Sequence, residues 1–169
     1  MIKSFSVTAL ILLCFVIFET AILSNLLFLP AIPDFLLIIT LYVSVNNGRV
    51  FGVTSGFVSG LILDCLSVSP FGLHCLLRTI IGYVAGLFNK TLNMSGAFIL
   101  VLIGFSVTLL KALILWMISV FFPDSIVAYS LVSKAFLFEL AANSVLTPIV
   151  FRFLRIFSTV ILLDPEKVS

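Results

Sequence analysis

The chain has 169 residues and a net charge of +2; 62% of it is A, V, I, L, M, F, W, Y or C and only 9% is charged, giving a mean hydropathy of +1.37. Soluble domains carry roughly 25% charged residues and about half apolar ones, so this composition excludes a water-soluble globular domain and a disordered chain alike. It fits an all-α polytopic membrane protein, and at roughly 20 residues per transmembrane helix six spans leave no room for a separate soluble domain.

The first apolar run covers residues 5–29. Lys3 precedes it as in a signal peptide, but Glu19-Thr20-Ala21 puts a carboxylate where cleavage wants small residues. Ile11-Leu12-Leu13-Cys14 also lacks the small residues of a lipoprotein site, so the run reads as an uncleaved first span. It stops at Pro30-Ala31-Ile32-Pro33-Asp34, because paired prolines break a helix and Asp34 suits the first turn of the next. The second span, 32–47, ends in the turn Asn46-Asn47-Gly48-Arg49. The third, 50–66, closes at Ser67-Val68-Ser69-Pro70, and the fourth, 71–88, at Asn89-Lys90-Thr91-Leu92-Asn93. The fifth, 97–122, is stopped by Pro123-Asp124, and the sixth covers 126–151. Beyond it, Arg152, Arg155, Ser158 and Thr159 recur at helical spacing against an apolar face. Residues 152–163 read either as a short interfacial helix, with both arginines toward anionic headgroups, or as an extension of the sixth span. The whole of 1–169 is then one membrane domain.

Basic residues set the orientation. With both termini in the cytoplasm, the inner side holds Lys3, Arg49, Lys90, Arg152, Arg155 and Lys167, and the outer loops hold Asp34 and Asp124 but no base. A re-entrant hairpin over the second and third runs would instead leave Arg49 in hydrocarbon.

Small residues recur every fourth position at Ser44, Gly48, Gly52, Gly56 and Gly60, and again at Gly82 and Gly86. Lipid gives helices no hydrophobic reason to associate, so they approach through such stripes. Two uses stand open: packing of the third span on the fourth, or a docking groove for a partner's helix. Charges form the second pattern. Glu19, Arg78, Lys111, Lys134 and Glu139 fall inside apolar runs, with Asp64 near the outer end of the third. Five unpaired charges would cost on the order of 15 kcal/mol, more than the stability of an ordinary domain, so these groups must pair or line a wet cavity. All six lie in the outer half or near mid-membrane and are expected to form one polar cluster. Asp64 with Arg78 is the first pairing expected, since a short connection makes their spans neighbours; Glu19 or Glu139 pairs with Lys111 or Lys134. Structural ion pairing and a ligand or partner pocket are both open roles.

Catalysis has little to stand on. His74 is the one histidine, Gly52-Val53-Thr54-Ser55-Gly56 has its serine one place late for a nucleophile elbow, and no P-loop or metal-ligand spacing occurs. Cys14, Cys65 and Cys75 read as small packing residues, with a Cys65–Cys75 pairing left open. No cofactor, metal or nucleic-acid partner is expected.

The segment 33–86 resembles the rod shape-determining protein MreD family of bacteria. The matching pieces are Pro33-Asp34, then Gly52-x-x-x-Gly56-Phe57-x-x-Gly60-Leu61-x-x-Asp64, then Ser67-x-Ser69-Pro70-Phe71-Gly72-Leu73-His74, and finally Gly82-Tyr83-x-x-Gly86. The resemblance implies a non-enzymatic inner-membrane subunit of the cell-wall elongation machinery. Its partner would be the single-span shape protein MreC and, through it, a wall-synthase transglycosylase and a penicillin-binding protein. It also implies six helices arranged like the substrate-binding subunit of energy-coupling-factor vitamin transporters. Such a subunit is the rival reading, although the alanine stripe these use for docking is absent: Leu13 follows Ala9. A lipid-linked-sugar enzyme using Asp64 and His74 comes last.

Overall fold

A computed structural model describes residues 2–21, 30–89, 91, 96–123 and 133–161. The helices are α1 (Ile2–Ala21), α2 (Phe35–Asn47), α3 (Arg49–Leu66), α4 (Leu73–Leu87), α5 (Ala97–Phe121), α6 (Lys134–Ile156) and the short α7 (Ser158–Ile161), with no strand among the described residues. By length and composition α3, α5 and α6 can each cross a bilayer; α2, α4 and the 6–21 part of α1 are apolar but shorter. The expected ends of the first span (22–29) and the start of the sixth (126–132) lie outside the described residues. Of the two readings of 152–163, the extension of the sixth helix holds as far as Ile156: α6 includes Arg152 and Arg155 and ends at Phe157, and the short α7 follows.

The second helix is the axis of the fold. Every residue from Leu36 to Val45 is buried, which is the signature of a helix enclosed on all sides; its neighbours are α1, α3, α4 and α6. Tyr42 packs edge-on against Phe151 with ring centroids 5.1 Å apart. At 13 residues α2 is about 20 Å long, well short of the ~30 Å hydrocarbon layer. Non-helical backbone at membrane depth is tolerated only inside protein, and Pro33 and Asp34 are buried accordingly.

A single residue joins α2 to α3. Gly48 has φ 88° and closes one helix while opening the next, its N–H donating to the Ser44 carbonyl at 2.9 Å. The antiparallel α3 and α4 are then in backbone contact. A Cβ at Gly52 would fall on the Gly82 carbonyl oxygen, one at Gly56 on the Arg78 carbonyl, one at Gly60 on the Cys75 Cα, and one at Gly86 would sit 2.6 Å from the Arg49 Cα. The stripe is therefore filled by α4. Of the two uses left open for the stripe, packing of the third helix on the fourth is the one the structure displays. The next face of α3 uses serines, with Ser59 Oγ 3.1 Å from Thr40 Oγ1 on α2.

The described residues divide the basic side chains between the two ends of the bundle. Arg49, Arg152 and Arg155 share the end where α2 and α6 finish and α5 begins, as the approach of Gly86 to Arg49 and the cavity between Asn46, Ala97 and Arg155 show. The opposite end, where α2 and α6 begin, holds the polar interior.

Candidate functional site: a buried ionic network

Asp34 is the centre of that interior. It caps α2, its Oδ1 accepting the Leu37 N–H at 2.9 Å, a position where the helix dipole also favours a carboxylate. The same oxygen accepts from Arg78 Nη2 at 2.6 Å, and Oδ2 accepts from Lys111 Nζ at 2.8 Å. Lys111 donates as well to Glu139 Oε1 at 2.6 Å. Two acids and two bases from α2, α4, α5 and α6 thus cancel. Arg78 is 1% exposed and Glu139 2%, so these contacts operate away from water, where a buried charge without its partner is severely destabilising.

Neutral polar groups complete the arrangement. The Asp34 backbone N–H donates to Asn143 Oδ1 at 2.9 Å, and Asn143 Nδ2 donates to Thr108 Oγ1 at 3.3 Å. Thr108 and Lys111 lie three apart on α5, and Glu139, Asn143 and Thr147 four apart on α6, so each set shares one helix face. The two faces meet at Gly104, where a Cβ would strike the Thr147 hydroxyl. Asn143 and Thr108 were missed in the sequence, although their spacing from Glu139 and Lys111 is the signal that finds them. Glu19, on α1, is buried beside the network and interacts electrostatically with Asp34, Arg78 and Lys111. Its Oε2 and Arg78 Nη1 have no hydrogen-bond partner among the described residues.

Three expectations change. Asp34, expected in an outer loop, is the residue on which the cluster converges. Asp64 does not pair with Arg78: its carboxylate accepts the backbone N–H groups of Gly72, His74 and Cys75 at 3.1, 3.0 and 2.9 Å. Gly72, in the left-handed region at φ 94°, opens α4 without a side chain to cap it, so Asp64 supplies the cap from the end of α3. Lys134 is the exposed first residue of α6 and stands outside the network. His74 is half-buried and contributes its backbone N–H to the cap; Pro70 accepts the Leu73 N–H at 3.1 Å in the same turn. The cysteines are free thiols, Cys14 and Cys65 exposed and Cys75 buried. Asp64→Ala is expected to orphan three amides and cost roughly 2 kcal/mol, read as a lower thermal midpoint in detergent and faster amide exchange at 72–75.

Helices able to cross a bilayer, gathered around an interior network of balanced charge, define a polytopic helical membrane protein. Neither a curated protein nor a solved structure matches the chain. It belongs to the family of the rod shape-determining protein MreD, whose model matches residues 2–157, and it is thus a rod shape-determining membrane protein.

Proposed function

We propose that this chain is a non-enzymatic scaffold of the cell-wall elongation complex in the inner membrane, and that it binds the single-span shape protein MreC. On this reading it crosses the membrane six times with both termini in the cytoplasm, in an arrangement like that of vitamin-transporter binding subunits. MreC connects it to the transglycosylase and penicillin-binding protein that build the wall. The observation that carries the reading is the family match over residues 2–157. Two features of the molecule support it. The gathering of Arg49, Arg152 and Arg155 at one end agrees with a cytoplasmic face there. The charged groups Asp34, Arg78, Lys111 and Glu139 are committed to one another, which suits a rigid anchoring body. Because α4 fills the glycine stripe, the partner's helix meets the outward, lipid-facing surfaces of the bundle.

The test is co-purification from the native cell in a mild detergent, with every retained protein identified. A single-span wall protein held at constant ratio is the expected result. Retention of an energy-coupling ATPase module instead, or a thermal midpoint raised by a small vitamin, would overturn the scaffold reading in favour of a transporter subunit.

A further inference from the structure

At the end of the bundle away from the ionic network, the ends of α2, α5 and α6 and the start of α7 line an open cavity of about 890 Å³, within the ~300–1,000 Å³ range of small-molecule sites. Its polar mouth is made by Arg152, Arg155, Asn46 and Ser158, and its walls by Ala97, Leu100, Pro148 and Ile149. The arrangement follows from helical spacing: Pro148, Ile149, Arg152 and Arg155 share one stripe of α6, as Tyr42 and Asn46 share one of α2. Neither guanidinium has an acidic partner among the described residues. The helix α5 begins here at Ala97 behind Gly96, which offers no side chain to cap it. Buried Tyr42 and Phe151 form the floor.

We propose that this cavity binds one anionic phospholipid, its phosphate held by Arg152 and Arg155 and the upper part of an acyl chain laid along Leu100 and Ile149. Two exposed cations beside an apolar wall, at the end of membrane-crossing helices, match a phosphate that carries a hydrocarbon tail; a free phosphate would use the mouth and leave the wall idle. Arg155 also sits in the last turn of α6, where a cation complements the helix dipole, but that role does not account for Arg152 or for the void between the helices. The inference does not depend on which partner the scaffold binds.

Native mass spectrometry of the purified full-length chain, released from nanodiscs of equal phosphatidylglycerol and phosphatidylcholine, tests it. The expected result is one retained phosphatidylglycerol, favoured at least tenfold over phosphatidylcholine. Arg152→Gln with Arg155→Gln should abolish the preference, the paired lysine variant should keep most of it, and Arg49→Gln, an exposed arginine at the same end, should leave it intact. Equal retention of both lipids by the unaltered protein, which needs no variant to fold, would overturn the proposal. So would an undiminished preference in the glutamine pair, or displacement of the lipid by millimolar inorganic phosphate, which would assign the mouth to a free anion.

Discussion

Alanine at position 34 is expected to be among the most damaging single substitutions in the chain. Among the described residues Asp34 is the carboxylate ion-paired with both bases of the network; without it Lys111 keeps Glu139, but Arg78, almost wholly buried, loses its salt bridge and keeps only the nearby charge of Glu19. Removing one partner of a buried ion pair costs about 3–5 kcal/mol because the survivor is uncompensated. The loss of the Leu37 cap adds about 1 kcal/mol. The expected observation is a thermal midpoint in detergent reduced far below that of Lys134→Gln, which alters only an exposed charge. Combining Asp34→Asn with Arg78→Gln removes both charges, so it should recover a large part of the loss. A double variant as unstable as the sum of its single parents would show that the two groups act independently.

The second large effect belongs to Gly56. A methyl group there has the Arg78 carbonyl in its place, and both atoms are backbone or directly attached to it, so no rotamer change relieves the clash. Gly56→Ala is expected to fall at the upper end of the roughly 1–3 kcal/mol seen for overfilled cores, and Gly56→Leu beyond it. Gly72→Ala is the informative contrast: a Cβ there meets nothing within 4 Å, leaving only the strain of its positive φ, about 1–2 kcal/mol. Folded yield and thermal midpoint across the three variants read this order directly; a harmless Gly56→Ala would mean that α3 and α4 do not touch. Because Gly56 faces the backbone of Arg78, the stripe also fixes where that guanidinium stands, which ties the two predictions together.

Much of this arrangement was readable in the residues. Prolines and asparagine-glycine turns marked the helix ends, since those residues act locally. The need for buried charges to pair followed from solvation alone, and Lys111 with Glu139 was among the pairings it allowed. What escaped was depth. Pro33-Asp34 has the local chemistry of a loop, and only the shortness of α2 and its burial on all sides draw that loop inside the protein. Asp64 was misassigned for a related reason: proximity to α4 was right, but the bare Gly72 start of that helix offered backbone donors that competed with Arg78. Lys134 was placed inside a span because apolar residues run up to it, whereas a capping serine, Ser133, accepting from the Phe136 N–H, starts α6 just before it. Thr108 and Asn143 carry no charge and so did not announce themselves.

The wiring of Asp34 bears on how the chain is made. Its two basic contacts are encoded 44 and 77 residues downstream, and Glu139 later still. As the ribosome feeds helices to the insertion machinery, Asp34 waits without a counter-ion until α4 emerges, and Lys111 gains its second carboxylate only with α6. A nascent polypeptide interrupted before that helix holds an unfinished salt network in the lipid. The interior network is therefore closed only once α6 has joined the other helices.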